Sequence, residues 1–209
     1  EGGLYGFGDD AERFAFFSKA VLEMLLHVDF TPDVINCNDW QSALIPVYLN
    51  TFFRQIDKMA NIRTVFTIHN IQYQGQYGME LLGDQLGLPS SAAHIMEYGG
   101  CLNMMKGAMT ECDMITTVSP TYAKEILSPK FSHGLDSVLK LFEFKLSGIL
   151  NGIDRDYYNP NKDKEIFANY NTRNVEGKKL CKSGLQRMLG LPERDVPIVA
   201  VISRLVSHK

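Results

Sequence analysis

Short apolar runs alternate with helix-forming segments along most of this chain, and this alternation restricts the fold more than any other feature. Met114–Val118 is short and rich in β-branched residues, and Ser119-Pro120 then supplies an N-cap and a first-turn proline for a helix. Similar β-type runs occur at 33–39 and 62–69. A parallel pair of strands cannot be joined by a hairpin, so successive β-α units give parallel strands with right-handed crossovers. The sequence therefore predicts an α/β fold with a doubly wound, Rossmann-like parallel sheet.

Further elements follow from periodicity and capping patterns. A helix is predicted from Asp9 to His27, opened by a capping box of Asp9 and Glu12. A second long helical region, 90–111, contains Gly99-Gly100, which can break it in two. The remaining predicted elements are a helix over 41–53, a strand over 147–152, a helix over 175–189 and a strand over 196–203.

A change in composition divides the chain. The stretch that begins at Asp154 is polar, carries Pro160 and lacks an apolar period, which is typical of a connector. We therefore predict three parts: residues 1–152 as part of one α/β domain, 153–174 as the connector, and 175–209 as the first elements of a second domain.

Charge and cysteine content limit the classes of partner and compartment. The net charge of −3 and the pI near 6.0 favour neither nucleic acid nor an anionic membrane as a partner. No apolar run reaches the roughly 18 residues that a membrane span needs, and the first residues, Glu1–Tyr5, lack the basic, apolar and cleavable pattern of a signal peptide. The four cysteines lack CxxC pairing and are expected to be reduced thiols, and the five scattered histidines have no metal-ligand spacing. Because the chain does not start with Met, we expect it to be a piece of a longer polypeptide.

The run from Thr64 to Tyr77 predicts a ligand site. It begins as an apolar strand and ends in His69, Asn70 and a glycine-containing loop. In open parallel sheets, ligands bind outside the carboxyl ends of the strands. His69 and Asn70 therefore occupy the position where such a fold places its chemistry.

Six motifs in register resemble bacterial glycogen synthases and plant starch synthases over nearly the whole chain. They are Asn38-Asp-Trp-Gln41, Phe66-Thr-Ile-His-Asn-Ile-Gln-Tyr-Gln-Gly75, Met105-Lys-Gly-Ala108, Thr117-Val-Ser-Pro-Thr-Tyr-Ala-Lys-Glu-Ile126, Gly148-Ile-Leu-Asn-Gly-Ile-Asp154 and Ser203-Arg-Leu205. The resemblance implies a two-domain glycosyltransferase of GT-B architecture. Such an enzyme moves glucose from ADP-glucose to the non-reducing end of an α-1,4-glucan, with retention and without a metal or other cofactor, in the bacterial cytoplasm or the plant plastid.

The family pattern also implies what this chain lacks. The family's N-terminal phosphate-binding loop is absent, and most of the nucleotide-binding domain lies beyond Lys209, so the isolated chain is expected to be inactive. Two positions depart from the pattern: Asn38 stands where many members carry His, and His208 where Gln is usual.

The resemblance assigns candidate roles to individual residues. His69 and Asp39 would be catalytic residues at two strand ends, and Arg204 with Lys209 would stabilise the leaving diphosphate. The candidate substrate-binding residues are Asn70, Tyr73, Asn151 and Trp40.

Each candidate has an ordinary structural alternative. His69 could be a core histidine, Asp39 could cap the helix that begins at Trp40, and Trp40 could be plain core. Tyr73 and Tyr77 could pack beneath their own loop. Asn151 could be a turn residue, and Arg204 with Lys209 an exposed surface pair.

Two alternative functions remain open from the sequence. A doubly wound domain of this size could be a non-catalytic, flavodoxin-like binding module, because fold alone does not specify function. Polar residues at three strand ends, Asp39, His69 and Asn151, argue against a purely structural module. The other alternative is a GT-B transferase that uses another donor, such as UDP-glucose.

Overall fold

The computed structural model describes residues 3–203 and divides into two compact units between Asn151 and Gly152. The first unit is built on a sheet of four parallel strands in the order β1-β2-β6-β7. These strands are β1 (Val34–Asn38), β2 (Arg63–Ile68), β6 (Met114–Thr117) and β7 (Leu146–Gly148). The α/β fold with a parallel sheet is confirmed.

A second, smaller sheet was absent from the sequence prediction. It is antiparallel, in the order β3-β5-β4. Its strands are β3 (Gln76–Tyr77), β4 (Glu97–Tyr98) and β5 (Cys101–Asn103).

Among the described residues of the first unit, seven α-helices accompany these sheets. They are α1 (Asp10–His27), α2 (Leu44–Tyr48), α3 (Leu81–Asp84), α4 (Ala93–Met96), α5 (Met104–Glu111), α6 (Pro120–Glu125) and α7 (Asp136–Leu141). Single 3₁₀ turns lie at Trp40–Ser42, Asp57–Met59, Ser90–Ala92 and Glu143–Lys145, and a π-helical turn covers Leu49–Phe53. The helix predicted over 41–53 is thus a composite of three helical types.

The core lies between the helices and one face of the parallel sheet. Along β2, Thr64, Phe66 and Ile68 are buried, whereas Val65 and Thr67 on the opposite face are half-buried. Helix α1 packs on α2, and α2 packs on α5. This period of two, with one covered face, fixes the register of β2, because a shift by one residue would turn Phe66 out of the core.

The long helix predicted over 90–111 is wrong in its middle. Residues 97–103 form the hairpin β4-β5, and Gly99 and Gly100 are its turn, with φ of +64° and +83°. Two successive residues with positive φ give the hairpin turn whose twist matches the flanking strands, and glycine adopts it without steric cost. The glycine pair therefore reverses the chain.

The start of α1 also differs from the prediction. Asp9 makes no side-chain cap hydrogen bond. Instead, Asp10 Oδ2 accepts hydrogen bonds from the backbone N–H groups of Gly6 and Phe7, which precede the helix. The predicted capping box is replaced by a carboxylate one residue later that holds the entering chain.

The capped helix after β6 is confirmed. Ser119 Oγ accepts a hydrogen bond from the Tyr122 backbone N–H at 2.9 Å, and Pro120 occupies the first turn of α6. This is the local geometry that the Ser-Pro pair predicts.

The second unit contains one α-helix within its described residues, α8 (Gly177–Met188). The strand predicted over 196–203 does not form, and Val199, Val201 and Ile202 are 88–98% exposed. A strand needs a neighbour to hydrogen-bond with, and residues 152–203 provide no second strand. The three-part domain division stays a prediction.

The four cysteines are free thiols. Burial raises the pKa of the Cys37 thiol to about 12, with Cys112 acting in the same direction, and burial likewise raises the pKa of Cys112 to about 11. Both thiols therefore stay protonated at neutral pH, as structural residues do.

Within residues 3–203, no helix combines the length and apolar character that a bilayer span requires.

Candidate active site

The candidate site lies where β1 and β2 end side by side. The two strands are parallel neighbours, with Asn38 opposite Thr67, so the residues that follow them emerge at the same edge of the sheet. Asp39 follows β1, and His69 and Asn70 follow β2. The Asp39 backbone N–H continues the pairing and donates to Thr67 O at 2.9 Å.

Asp39 holds the chain that follows β2. Its Oδ1 accepts hydrogen bonds from the backbone N–H groups of His69, at 2.8 Å, and Asn70, at 3.2 Å. It makes no side-chain cap hydrogen bond to the turn at Trp40. The helix-cap alternative for Asp39 is therefore wrong, and the carboxylate instead fixes the backbone of the two residues with candidate roles.

The backbone of Asp39 is strained. Its φ is +54° and its ψ is −175°, a region that residues with a Cβ rarely adopt. Such a conformation costs roughly 1–3 kcal/mol, and these conformations cluster at functional sites. This backbone conformation turns the chain sharply at the end of β1, while the Asp39 carboxylate keeps its hydrogen bonds to the N–H groups of His69 and Asn70.

His69 is exposed and is not a core histidine. Its ring Nε2 lies 2.9 Å from Asn38 Oδ1. The neighbouring Asn70 is half-buried, and its Oδ1 accepts from the Gln72 backbone N–H at 3.1 Å, which forms a local turn. The exposed imidazole is thus held from one side and open to a ligand from the other.

Tyr122, on α6, is influenced by the charge of Asp39. Burial raises the pKa of its hydroxyl, a hydrogen bond from the Ile71 backbone opposes this, and the negative charge of Asp39 raises the pKa further. The hydroxyl therefore stays protonated at neutral pH. The sequence analysis did not name Tyr122, although it lies within one of the six motifs.

The loop after His69 is anchored to the small sheet. Gln74 is buried, its Oε1 accepts from Asn103 Nδ2 at 2.7 Å, and its Nε2 donates to His133 O at 3.0 Å. A Cβ on Gly75 would lie 2.6 Å from Trp40 Cε3, so only glycine lets the loop pass so close to that ring. The loop is therefore a fixed rim of the site.

The aromatic candidates separate clearly in the structure. Trp40 is 9% exposed, and its ring packs edge-on against Phe14, 5.0 Å away, and near Tyr77, 5.9 Å away. This packing agrees with the core interpretation of Trp40, and sugar stacking would require the cluster to open. Tyr73 is 51% exposed on the loop, where a ligand can reach it.

The remaining candidates are Asn151, Arg204 and Lys209. Asn151 is exposed three residues after β7, and Ile149 N–H still pairs with Thr117 O at 2.8 Å. Arg204 and Lys209 lie outside the described residues. Within residues 3–203, no group of three His, Cys, Asp or Glu side chains could hold a metal ion.

The comparisons with known proteins agree on one family. The family model described as "Starch synthase catalytic domain" matches residues 1–141. The chain belongs to the starch synthase catalytic domain family.

Relatives in this family extend the match over the rest of the chain. A glycogen synthase from Desulforamulus reducens is 47% identical over 99% of this chain and 44% of its own length. One from Alkaliphilus metalliredigens is 46% identical over the same shares. The chain therefore spans under half the length of these curated relatives.

A solved structure supports the same assignment of fold. The catalytic domain of starch synthase IV from Arabidopsis thaliana, bound to ADP and acarbose, matches with a TM-score of 0.77 and 36% identity. The match covers 94% of this chain and 41% of that chain. The parallel sheet with its candidate site is thus part of a starch synthase catalytic domain fold.

Proposed function

We propose that the complete polypeptide containing this chain is a retaining glucosyltransferase that transfers glucose from ADP-glucose to the non-reducing end of an α-1,4-glucan. The carrying observation is the group of Asp39, His69 and Asn70 at the carboxyl edge of the parallel sheet in a starch synthase catalytic domain. The Arabidopsis relative, whose structure holds ADP and acarbose, supports a nucleotide and a glucan-like ligand. Such an enzyme would act in the cytoplasm of a bacterium, or in the plastid of a plant.

Different site residues would stabilise the positive and the negative charge that develop during transfer. As the bond from glucose C1 to the diphosphate breaks, positive charge develops at C1 and negative charge on the leaving ADP. A polar strand end meets the positive charge with backbone carbonyls, and the His69 ring hydrogen-bonds a glucose hydroxyl. Arg204 and Lys209 would stabilise the leaving diphosphate, a forked guanidinium and an ammonium supplying the charge that a metal supplies elsewhere.

Asp39 would preorganise this arrangement. Because its carboxylate already binds the N–H groups of His69 and Asn70, the backbone at this turn needs no rearrangement when substrate arrives. Tyr73, exposed on the anchored loop, would contact the acceptor, and Asn151 would contact the donor glucose.

The test uses the complete polypeptide with radiolabelled ADP-glucose and a glycogen primer, with no added metal and with a chelator present. We expect labelled glucan to form, and we expect calorimetry to show tighter binding of ADP-glucose than of UDP-glucose. Preferential use of UDP-glucose would overturn the donor assignment. Binding of neither nucleotide sugar would overturn the enzyme proposal in favour of a non-catalytic module.

A further inference from the structure

One face of the parallel sheet carries a ladder of polar side chains. Side chains two residues apart share a face of a strand, so Asn36 and Asn38 of β1 lie on the same face as Thr67 of β2 and His69 after it. Asn36 Oδ1 accepts from Thr67 Oγ1 at 2.8 Å. Asn38 and His69 repeat this contact two residues further along, with 2.9 Å between Oδ1 and Nε2.

The orientation of the Asn38 amide decides which group donates. Asn38 Nδ2 donates to Asn36 O at 3.3 Å, and a backbone carbonyl can only accept. The amide oxygen is therefore the atom that faces His69. An amide oxygen also only accepts, so the proton of the contact belongs to His69 Nε2.

The other ring nitrogen follows from this. In a neutral imidazole, one nitrogen carries the proton and the other is an acceptor, and the partner of one sets the state of the other. With the proton on Nε2, Nδ1 of His69 is an acceptor. We propose that Asn38 is a positioning residue that fixes the tautomer and ring orientation of His69, so that Nδ1 receives a hydrogen bond from a sugar hydroxyl. The sugar part of this proposal rests on the proposed function.

Asn36 offers a matched control on the same strand. It is the same residue type, is exposed like Asn38, and makes the equivalent contact to Thr67 instead of His69. Asn36→Ala and Asn38→Ala therefore remove the same atoms two residues apart. Only the second removes the partner of His69.

The first measurement determines which ring nitrogen of His69 carries the proton, and it does not depend on enzymatic activity. The complete polypeptide is labelled with [¹⁵N]histidine, and the His69 signals are assigned by their loss in His69→Gln. We expect Nε2 at the shift of a protonated ring nitrogen and Nδ1 at that of an unprotonated one. In Asn38→Ala the two shifts should move toward each other as the ring is freed, and in Asn36→Ala they should stay. A proton on Nδ1, or an unchanged spectrum in Asn38→Ala, overturns the proposal.

The second measurement tests whether the orientation of the His69 ring affects the rate of glucose transfer. We expect Asn38→Ala to lower kcat by about 10- to 100-fold, the scale of losing orientation at a reacting group, with a smaller change in KM. Asn38→Asp keeps an acceptor oxygen at this position and should recover most of the activity, and Asn36→Ala should stay within about twofold of the parent. Equal losses in Asn36→Ala and Asn38→Ala would mean a structural effect of the ladder and would overturn the positioning role. If the parent transfers no glucose at all, the proposed function fails, while the nitrogen shifts still decide the tautomer.

Discussion

At both ends of β2, an aspartate from a neighbouring segment accepts hydrogen bonds from backbone N–H groups. At the amino end, Asp113 Oδ2 accepts from Thr64 N–H at 2.8 Å, and the Asp113 N–H donates to Thr64 O at 3.0 Å. At the carboxyl end, Asp39 Oδ1 accepts from His69 and Asn70, and the Asp39 N–H donates to Thr67 O. The same device thus secures the strand at both ends.

The two aspartates differ in how many of their carboxylate oxygens have a hydrogen-bond partner among the described residues. Both oxygens of Asp113 are used, because Oδ1 also lies 2.7 Å from Arg63 Nη1, and its backbone is unstrained. Asp39 commits only Oδ1 to the residues that the structure describes, carries a φ of +54°, and has no lysine or arginine partner in that part of the chain. A fully satisfied carboxylate stabilises, whereas a strained one with spare acceptor capacity is available to a ligand. The comparison predicts that changes at the carboxyl end cost activity and that changes at the amino end cost stability.

The largest expected effect is that of His69→Ala in the complete polypeptide. If the ring contacts the reacting sugar, kcat should fall roughly 10²-fold or more, the scale of losing one preorganised contact. Because the ring is exposed and leaves no core cavity, the melting temperature and circular dichroism should change little. A normal kcat with a large loss of stability would erase the distinction between the two ends.

Two variants of Asp39 distinguish the effect of backbone strain on stability from the effect of the carboxylate on activity. Asp39→Ala and Asp39→Gly should both lower kcat by at least about tenfold, because the N–H groups of His69 and Asn70 lose their acceptor. Glycine adopts a φ of +54° freely, so Asp39→Gly should be more stable than Asp39→Ala by about 1 kcal/mol. Urea denaturation of the two variants measures this difference. Equal stabilities would mean that the backbone at Asp39 stores no strain.

Asp113→Asn should act on stability and leave kcat unchanged. Weakening its contacts to Thr64 and Arg63 should cost roughly 1–3 kcal/mol of unfolding free energy. A twofold or larger fall in kcat at saturating substrate would show that the amino end also contributes to the site.

The pH dependence of stability sharpens the same contrast. Burial raises the pKa of the Asp113 carboxyl, but hydrogen bonds from Thr64 and Arg63 together with the Arg63 charge outweigh it, and the net pKa is lowered. A lowered folded-state pKa gives stability that is present above the unfolded value, near 3.9, and is lost as the pH falls through the folded value. Melting curves below about pH 5 should therefore fall more steeply for the parent than for Asp113→Asn. Parallel curves would contradict this.

The smallest effect is expected at the carboxyl end of β6. Ser119 has ordinary extended geometry, with a φ of −165°, and caps α6 through Tyr122. Ser119→Ala should cost about 1 kcal/mol, should be rescued by Ser119→Asp, and should leave kcat unchanged. Loss of activity without loss of stability would add Ser119 to the site.

Local chemistry explains which elements could be predicted. Ser119-Pro120 supplies its own cap and its own fixed φ, and the run over 62–69 has local β-type character, so the helix after β6 and the strand β2 were both predicted correctly. Gly99-Gly100 was ambiguous, since the same glycines can break a helix or turn a hairpin, and the pairing of β4 with β5 decided between the two. The run over 196–203 has strand character but no strand partner among residues 152–203, so its pattern alone could not make a strand.

By itself, the sequence determined the parallel sheet, the polar turn after β2 and the family, because period, caps and motifs are local or ordered along the chain. Only the tertiary structure decided what the site residues do. Asp39 could cap its own helix or reach across to His69, and Asn38 could face solvent or the imidazole. Such choices depend on which strand lies alongside, at about 4.8 Å, and on the backbone angle at one residue. The residues near Asp39 determine neither the neighbouring strand nor this backbone angle. Both depend on contacts between segments 30 residues apart, which meet only when the sheet forms.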